Sequence, residues 1–237
     1  MVYKWLKSAL DVCCPPRCLL CDRQTNNRRR VCTACLGELP RVDPACRCCG
    51  AAIAAPADHL CGQCLRQTPS FDRVLSLFDY APPIDQLIAA MKFHQQWHLA
   101  RVLGELLGDF LANNESDSRP QAVIPVPLHP RRLRERGYNQ SLEIARHTTR
   151  RLNLPLITDL CVRTKPTAAQ SGLSSVARHR NVRAAFRVTP GHGLRYLAIL
   201  DDVVTTGATV NELSRALKRS GVSVVEVWSV ARASRHQ

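Results

Sequence analysis

The sequence has 237 residues, 45% hydrophobic and 22% charged, enough for one ordinary domain plus a small module or for two modest domains. Thirty-three Lys and Arg against nineteen Asp and Glu leave a net charge of +14, which favours anionic partners such as nucleotides, pyrophosphate or nucleic acid and says nothing about fold. No stretch approaches the ~18 consecutive apolar residues of a membrane span, and MVYKWLKSALDVCCPP meets Asp11 before an apolar core can form, so the expectation is no signal peptide, no membrane span and a cytoplasmic location.

In chain order, Trp5, Leu6, Ala9 and Leu10 carry the spacing of a short amphipathic helix. Eleven of the twelve cysteines then fall within the first 64 residues. They form an internal repeat: Cys18-x2-Cys21 and Cys32-x2-Cys35 are echoed by Cys46-x2-Cys49 and Cys61-x2-Cys64. A reducing compartment makes such thiols metal ligands rather than disulfides. Zinc takes four tetrahedral thiolates, and each knuckle supplies two from one tight turn. The eight cysteines therefore predict two closed, structural zinc sites, with Cys13, Cys14 and Cys48 spare. Spacing alone leaves open whether the knuckles pair in sequence or interleave.

From Phe71 onward strands alternate with helices. Residues 74–80 read as a strand, and Pro82-Pro83 opens a helix with Ile84, Leu87, Ile88 and Met91 on one face. A second helix spans Leu99–Leu111 and ends at a polar linker. Residues 122–127 are a short buried strand, 141–152 a helix and 197–201 a strand. A helix with Val210, Leu213 and Leu217 follows and stops at Gly221; residues 222–230 close the pattern as a strand. The expected fold is α/β: a mostly parallel sheet flanked by helices, preceded by a small Cys-rich double zinc ribbon. The expected domains are 1–66, the ribbon with its short N-terminal helix, and 67–237.

The segment LAILDDVVTTGATV (197–210) carries the chemistry. A buried strand delivers Asp201 and Asp202 near its carboxyl end, where α/β folds place ligands. Val203 and Val204 lead into a turn of small and hydroxyl residues, Thr205, Thr206, Gly207, Ala208 and Thr209, which runs into a helix. Backbone N–H groups, hydroxyls and the helix N-terminus suit a phosphate monoester, and vicinal carboxylates suit two sugar hydroxyls. There is no G-x4-G-K-[ST] pattern, so this is not an ATPase loop.

This segment resembles the thirteen-residue motif by which type I phosphoribosyltransferases bind phosphoribosyl pyrophosphate (PRPP). That resemblance implies a phosphoribosyltransferase-like fold, ribose hydroxyls on Asp201 and Asp202, the 5-phosphate on Thr205–Thr209, and magnesium accompanying PRPP. Together with VIPVPLHPRRLRERGYNQS (123–141), RTKPTAAQSGLSSVARHRNVRAAF (163–186) and the cysteine repeat, it resembles the ComF family, which includes GntX-like proteins tied to competence and the use of imported DNA. The likeness covers essentially the whole chain and establishes no reaction.

The residues of those stretches agree with an anionic ligand. His129 follows the 122–127 strand, and Arg132, Arg134 and Arg136 follow at spacing two. Residues 163–187 hold six Lys and Arg, among them Arg163, Lys165 and Arg178, and no acid, which reads as a basic hood. His129, Arg132, Arg136, Arg163, Lys165 and Arg178 are the candidates for pyrophosphate and hood contacts. Asn139 and Gln140 read either as base contacts or as caps of the following helix. Two functions fit: phosphoribosyl transfer to an unidentified acceptor, or a PRPP- or nucleotide-sensing module that binds single-stranded DNA or a DNA-uptake protein.

Overall fold

The computed structural model describes residues 16–25, 30–54, 59–94, 96–114, 118–166 and 182–233. The chain divides into two compact units, residues 1–39 and 40–237. The predicted N-terminal helix, Cys13 and Cys14 lie outside the described residues, as does Arg178 with most of the basic hood.

The first unit contains α1 (Thr33–Gly37), a short helix that leaves the second knuckle of the repeat. The second unit begins with the other pair of knuckles and α2 (Gly62–Arg66). It continues through β1 (Arg73–Asp79), α3 (Ile84–Phe93), α4 (His98–Ala112), β2 (Ala122–Pro125), α5 (Pro130–Arg136), α6 (Gln140–Leu152), β3 (Cys161–Arg163), β4 (Phe186–Val188), β5 (Tyr196–Val204), α7 (Ala208–Arg219) and β6 (Val224–Arg232).

Four strands form a parallel sheet in the order β1-β6-β5-β2. Parallel strands need covered faces, and the apolar runs of β2, β5 and β6 provide for that. Val210, Leu213 and Leu217 of α7 pack on Ile124, Leu197, Ile199, Val225 and Val227. Helices α4 and α6 pack on one another and on the sheet. Their closeness depends on Gly104, where a Cβ would stand 2.6 Å from the carbonyl oxygen of Ile144. Thr148 Oγ1 fills the same seam, donating to the Gly104 carbonyl at 3.0 Å.

The pattern of a mostly parallel α/β sheet is therefore realised, with differences in detail. β5 runs three residues past its predicted end at Asp201, because Asp201, Val203 and Val204 pair with Ser229, Ala231 and Arg232 of β6. α5 and the antiparallel pair β3–β4 were not expected from periodicity; both are too short to show a repeating apolar face.

The second pair of knuckles packs on the sheet. The N–H of Val74 in β1 donates to the Cys48 carbonyl at 2.8 Å. Cys48 and Cys49 are half-buried against the core that contains Val74, Val204 and Val227.

Candidate ribose-phosphate cleft and metal centres

The cysteines gather into two sets, Cys18, Cys21, Cys32, Cys35 and Cys46, Cys49, Cys61, Cys64, with all ligand atoms of a set within 4.8 Å of one another. The knuckles thus pair in sequence order, which spacing had left open. A zinc tetrahedron with bonds near 2.3 Å has sulfur–sulfur edges of about 3.8 Å. Cys21 and Cys32 stand 3.8 Å apart and Cys49 and Cys61 3.6 Å apart, so the donor sets fit the ion.

Backbone N–H groups already support thiolate character at one cysteine of each set. Cys32 N donates to Cys18 Sγ at 3.4 Å and Cys61 N to Cys46 Sγ at 3.2 Å. Burial pushes both thiols up, but these and neighbouring N–H groups outweigh it, bringing Cys18 to about 6 and Cys46 to about 7. Cys35, Cys49 and Cys64 respond in the opposite sense. Hydrogen bonds that the Cys35 thiol donates to Cys32 and Cys21, with burial, push it up to about 12, and burial first pushes Cys49 up to about 11. Four adjacent thiolates need a cation, and four protein ligands leave it no open position, so both centres are structural.

The second site is a cleft of about 370 Å³ at the carboxyl ends of β2 and β5. Its lining includes Asp201, Asp202, Val203, Val204, Thr205, Gly207, Ala208 and Thr209. Thr206 instead turns its hydroxyl to accept the N–H of Ala208 at 3.3 Å, closing the turn ahead of α7. Gly207 takes φ +77°, a left-handed conformation that suits glycine, and its carbonyl accepts from Asn211 N at 2.8 Å.

The two carboxylates are held differently. Asp201 Oδ1 accepts from Ser141 Oγ at 2.9 Å and from the N–H of Asp202 at 2.9 Å. Asp202 Oδ2 pairs with Lys92 Nζ at 2.8 Å. Although the Asp201 side chain keeps some exposure, loss of hydration in the cleft raises its pKa first; the Asp202 charge adds to this, Lys92 and the hydrogen bonds oppose it, and the carboxyl ends at about 7.

Of the predicted anion contacts, Arg132, Arg136 and Arg163 line the cleft. Burial lowers the Arg163 pKa, the Asp201 charge opposes that and Arg132 reinforces it, so the three groups share one field. His129 caps α5, its Nδ1 accepting from Arg131 N at 3.2 Å. Lys165 Nζ donates to the Arg183 carbonyl at 3.0 Å. Neither of these two lines the cleft. Asn139 proves to be a cap: its Oδ1 accepts from Ser141 N at 3.1 Å and its Nδ2 donates to the Val126 carbonyl at 3.1 Å. Gln140 does face the cleft.

Sequence reasoning missed Lys92, Ser141, Tyr80 and Phe93 as lining residues. Lys92 had a signal: it lies four residues after Ile88, on the helix face that is otherwise buried. Ser141 closes the 123–141 stretch but was not singled out there, and Tyr80 and Phe93, at the ends of β1 and α3, had no signal.

The fold and the cysteine clusters define a class: an α/β protein that carries a double zinc ribbon. A family model described as "Double zinc ribbon domain" matches residues 9–65. Over most of its length the chain is similar to competence protein F of Haemophilus influenzae, 35% identical over 226 residues that cover 92% of this chain and 97% of that protein. It is 34% identical over 220 residues to DNA utilization protein YhgH of Escherichia coli, covering 91% and 89%. Competence protein ComFC of Streptococcus pneumoniae is 22% identical over 233 residues. The chain belongs to the ComF family of competence protein F and YhgH. Among the described residues no helix is long and apolar enough to cross a membrane.

Proposed function

We propose that the cleft binds PRPP with magnesium and that the protein transfers its phosphoribosyl group to an acceptor, in the cytoplasm, in the service of DNA utilisation. Asp201 and Asp202 accept hydrogen bonds from the ribose hydroxyls, and the Thr205–Thr209 turn holds the 5-phosphate. An acceptor nucleophile forms a bond to C1 as the C1–O bond to pyrophosphate breaks; pyrophosphate leaves with the electron pair and the acceptor releases its proton. Arg132, Arg136 and Arg163 stabilise the departing charge, and magnesium supplies further neutralisation when bound.

The observation that carries this reading is the convergence of Asp201, Asp202, the small-residue turn and three arginines in one cleft. The relatives' names, competence protein and DNA utilization protein, support the biological setting. A second reading keeps the ligand and drops the chemistry: a PRPP or nucleotide sensor that engages single-stranded DNA or a DNA-uptake protein. The net charge of +14 favours an anionic partner of that kind.

Calorimetry with PRPP and magnesium tests the site, and pyrophosphate release on adding nucleobases separates the two readings. Asp202→Asn removes a charge-assisted hydrogen bond worth ~1.5–3 kcal/mol and should weaken PRPP about ten- to a hundred-fold. Gly207→Ala should weaken it as well. A Cβ there meets only the Phe71 ring at 3.8 Å, so the cost is the left-handed backbone, roughly 1–2 kcal/mol, not a clash. Unchanged affinity in both variants overturns the assignment.

A further inference from the structure

The carboxylate pair of the cleft is met by an ammonium, and the way that ammonium is held decides what else the pair can take. Lys92 lies in the last turn of α3, and its Nζ stands 2.8 Å from Asp202 Oδ2. The two side chains are only 18% and 11% exposed, although both line the cleft. A surface lysine swings freely on its long stem, but this one is confined. Ile84, Ile88 and Met91 of the same helix are fully buried, and the Tyr138 hydroxyl donates to the Met91 carbonyl, one residue before Lys92. The end of α3 is thereby pinned beside Asp202.

The oxygens of the pair divide between the protein and a ligand. Asp201 Oδ1 accepts from Ser141 Oγ and from the Asp202 N–H, and Asp202 Oδ2 holds the ammonium. Oδ2 of Asp201 and Oδ1 of Asp202 remain, one for each of two vicinal hydroxyls. A resident divalent cation does not fit this arrangement. Magnesium needs an octahedron of oxygens at ~2.0–2.1 Å. It would compete with Nζ for the same carboxylate, at a range where like charges repel strongly. The remaining charges act in the same direction: Lys92, Arg132, Arg136 and Arg163 line the cleft against Asp201 and Asp202, which repels a free cation and attracts an anion that carries one. The Lys92 charge reaches Asp201 too, opposing the rise that desolvation and the Asp202 charge cause in that carboxyl.

We propose that Lys92 is the resident counter-ion of the carboxylate pair and fixes the form in which metal enters the cleft. Asp201 and Asp202 hold no divalent cation of their own. Magnesium arrives only on a ligand that brings its own phosphate oxygens to the ion, a pyrophosphorylated ribose, while a ribose monophosphate binds without metal. Lys92 is thus a positioning residue that acts through Asp202: it orients that carboxylate and sorts ligands by the anion they carry. The inference rests on the ribose-phosphate reading for the identity of the ligand, and its metal arm is measurable with no ligand present.

Manganese(II) stands in for magnesium in the test, because the free ion gives an electron paramagnetic resonance signal that is lost on binding. The full zinc-loaded chain is titrated with manganese alone, and with ribose 5-phosphate in the presence and absence of manganese. Parent protein should leave the free-ion signal intact and bind ribose 5-phosphate equally well in both conditions. Lys92→Met should take up about one manganese per chain, on the order of tenfold more tightly than the parent, and adding Asp202→Asn should abolish that uptake. Lys92→Arg keeps the charge and should behave as the parent does. Melting curves check that the variants fold, and Lys92→Gln, which retains a donor for Asp202, replaces the Met variant if that one does not. Asp202-dependent uptake by the parent, ribose 5-phosphate binding that requires manganese in the parent, or no uptake by a folded Met or Gln variant overturns the proposal and leaves the ribose-phosphate reading standing wherever ribose 5-phosphate binds. If manganese behaves as stated and ribose 5-phosphate binds in neither condition, the counter-ion stands and the ribose-phosphate reading falls.

Discussion

Arg232, at the end of the last strand, donates through Nε to the carbonyl of Cys49 at 2.9 Å. Its Nη1 donates to the carbonyl of Val204 at 2.9 Å and also to that of Thr205. One guanidinium, 6% exposed, therefore braces a metal-binding knuckle and the start of the candidate phosphate turn. The Val204 carbonyl also accepts from Ala233 N at 2.9 Å, whereas the buried guanidinium supplies the donors for Cys49 and Thr205.

Replacing Arg232 with Met keeps much of the volume and removes the side-chain donors to the Cys49, Val204 and Thr205 carbonyls. The expected loss of stability is about 3 kcal/mol, read from the shift of a urea midpoint. Ribose 5-phosphate should also bind more weakly, and zinc should exchange faster from the Cys46–Cys64 set than in the parent. Parent-like stability together with parent-like exchange would show that the guanidinium braces nothing.

The two metal centres should differ in what they support. Parent protein should contain about two zinc per chain, and Cys32→Ser or Cys61→Ser should each lower this to about one. Loss at Cys61 should also destabilise the sheet, because Cys48 and Cys49 pack on its core. Cys32→Ser should leave the melting of residues 40–237 near the parent value, since that set belongs to the other compact unit. Metal analysis with calorimetric melting decides it; identical effects of the two substitutions would contradict the distinction.

Asp201 predicts a pH dependence with a definite sign. Its folded pKa, about 7, lies above the ordinary carboxylate value of 3.8, so the folded state holds that proton more tightly than the unfolded chain. The associated stability is fully present below about pH 4 and is lost as the pH rises through about 7. Asp201→Asn removes the titration and can still accept from Ser141. Relative to the parent, the variant should gain stability between pH 4 and pH 8, measured as the difference in midpoint across that range. A difference that stays flat with pH would mean that the carboxyl is not held neutral.

Gly104→Ala should cost roughly 1–3 kcal/mol, because its Cβ meets backbone of α6 that has little room to move. Gly62→Ala is the matched control: a Cβ there has nothing within 4 Å. Thermal melting of both should separate the close approach of α4 and α6 from general intolerance of the change. Equal midpoints would show that the seam relaxes cheaply.

Sequence by itself determined what depends on local period and local chemistry. Cys-x2-Cys repeats announced two zinc centres, because one tight turn creates half a ligand set. Apolar runs alternating with helical patterns announced a mostly parallel α/β sheet, because burial on both faces leaves its mark on β2, β5 and β6. The Asp201–Thr209 segment was readable as a unit because carboxylates, turn and helix start are contiguous. Tertiary structure decided whatever depends on segments far apart in the chain. It chose sequential over interleaved pairing of the knuckles, brought Lys92 to Asp202 and Ser141 to Asp201, and set Arg232 against Cys49. No periodicity encodes such meetings; they arise only when the sheet order β1-β6-β5-β2 sets which strand ends and helix ends become neighbours.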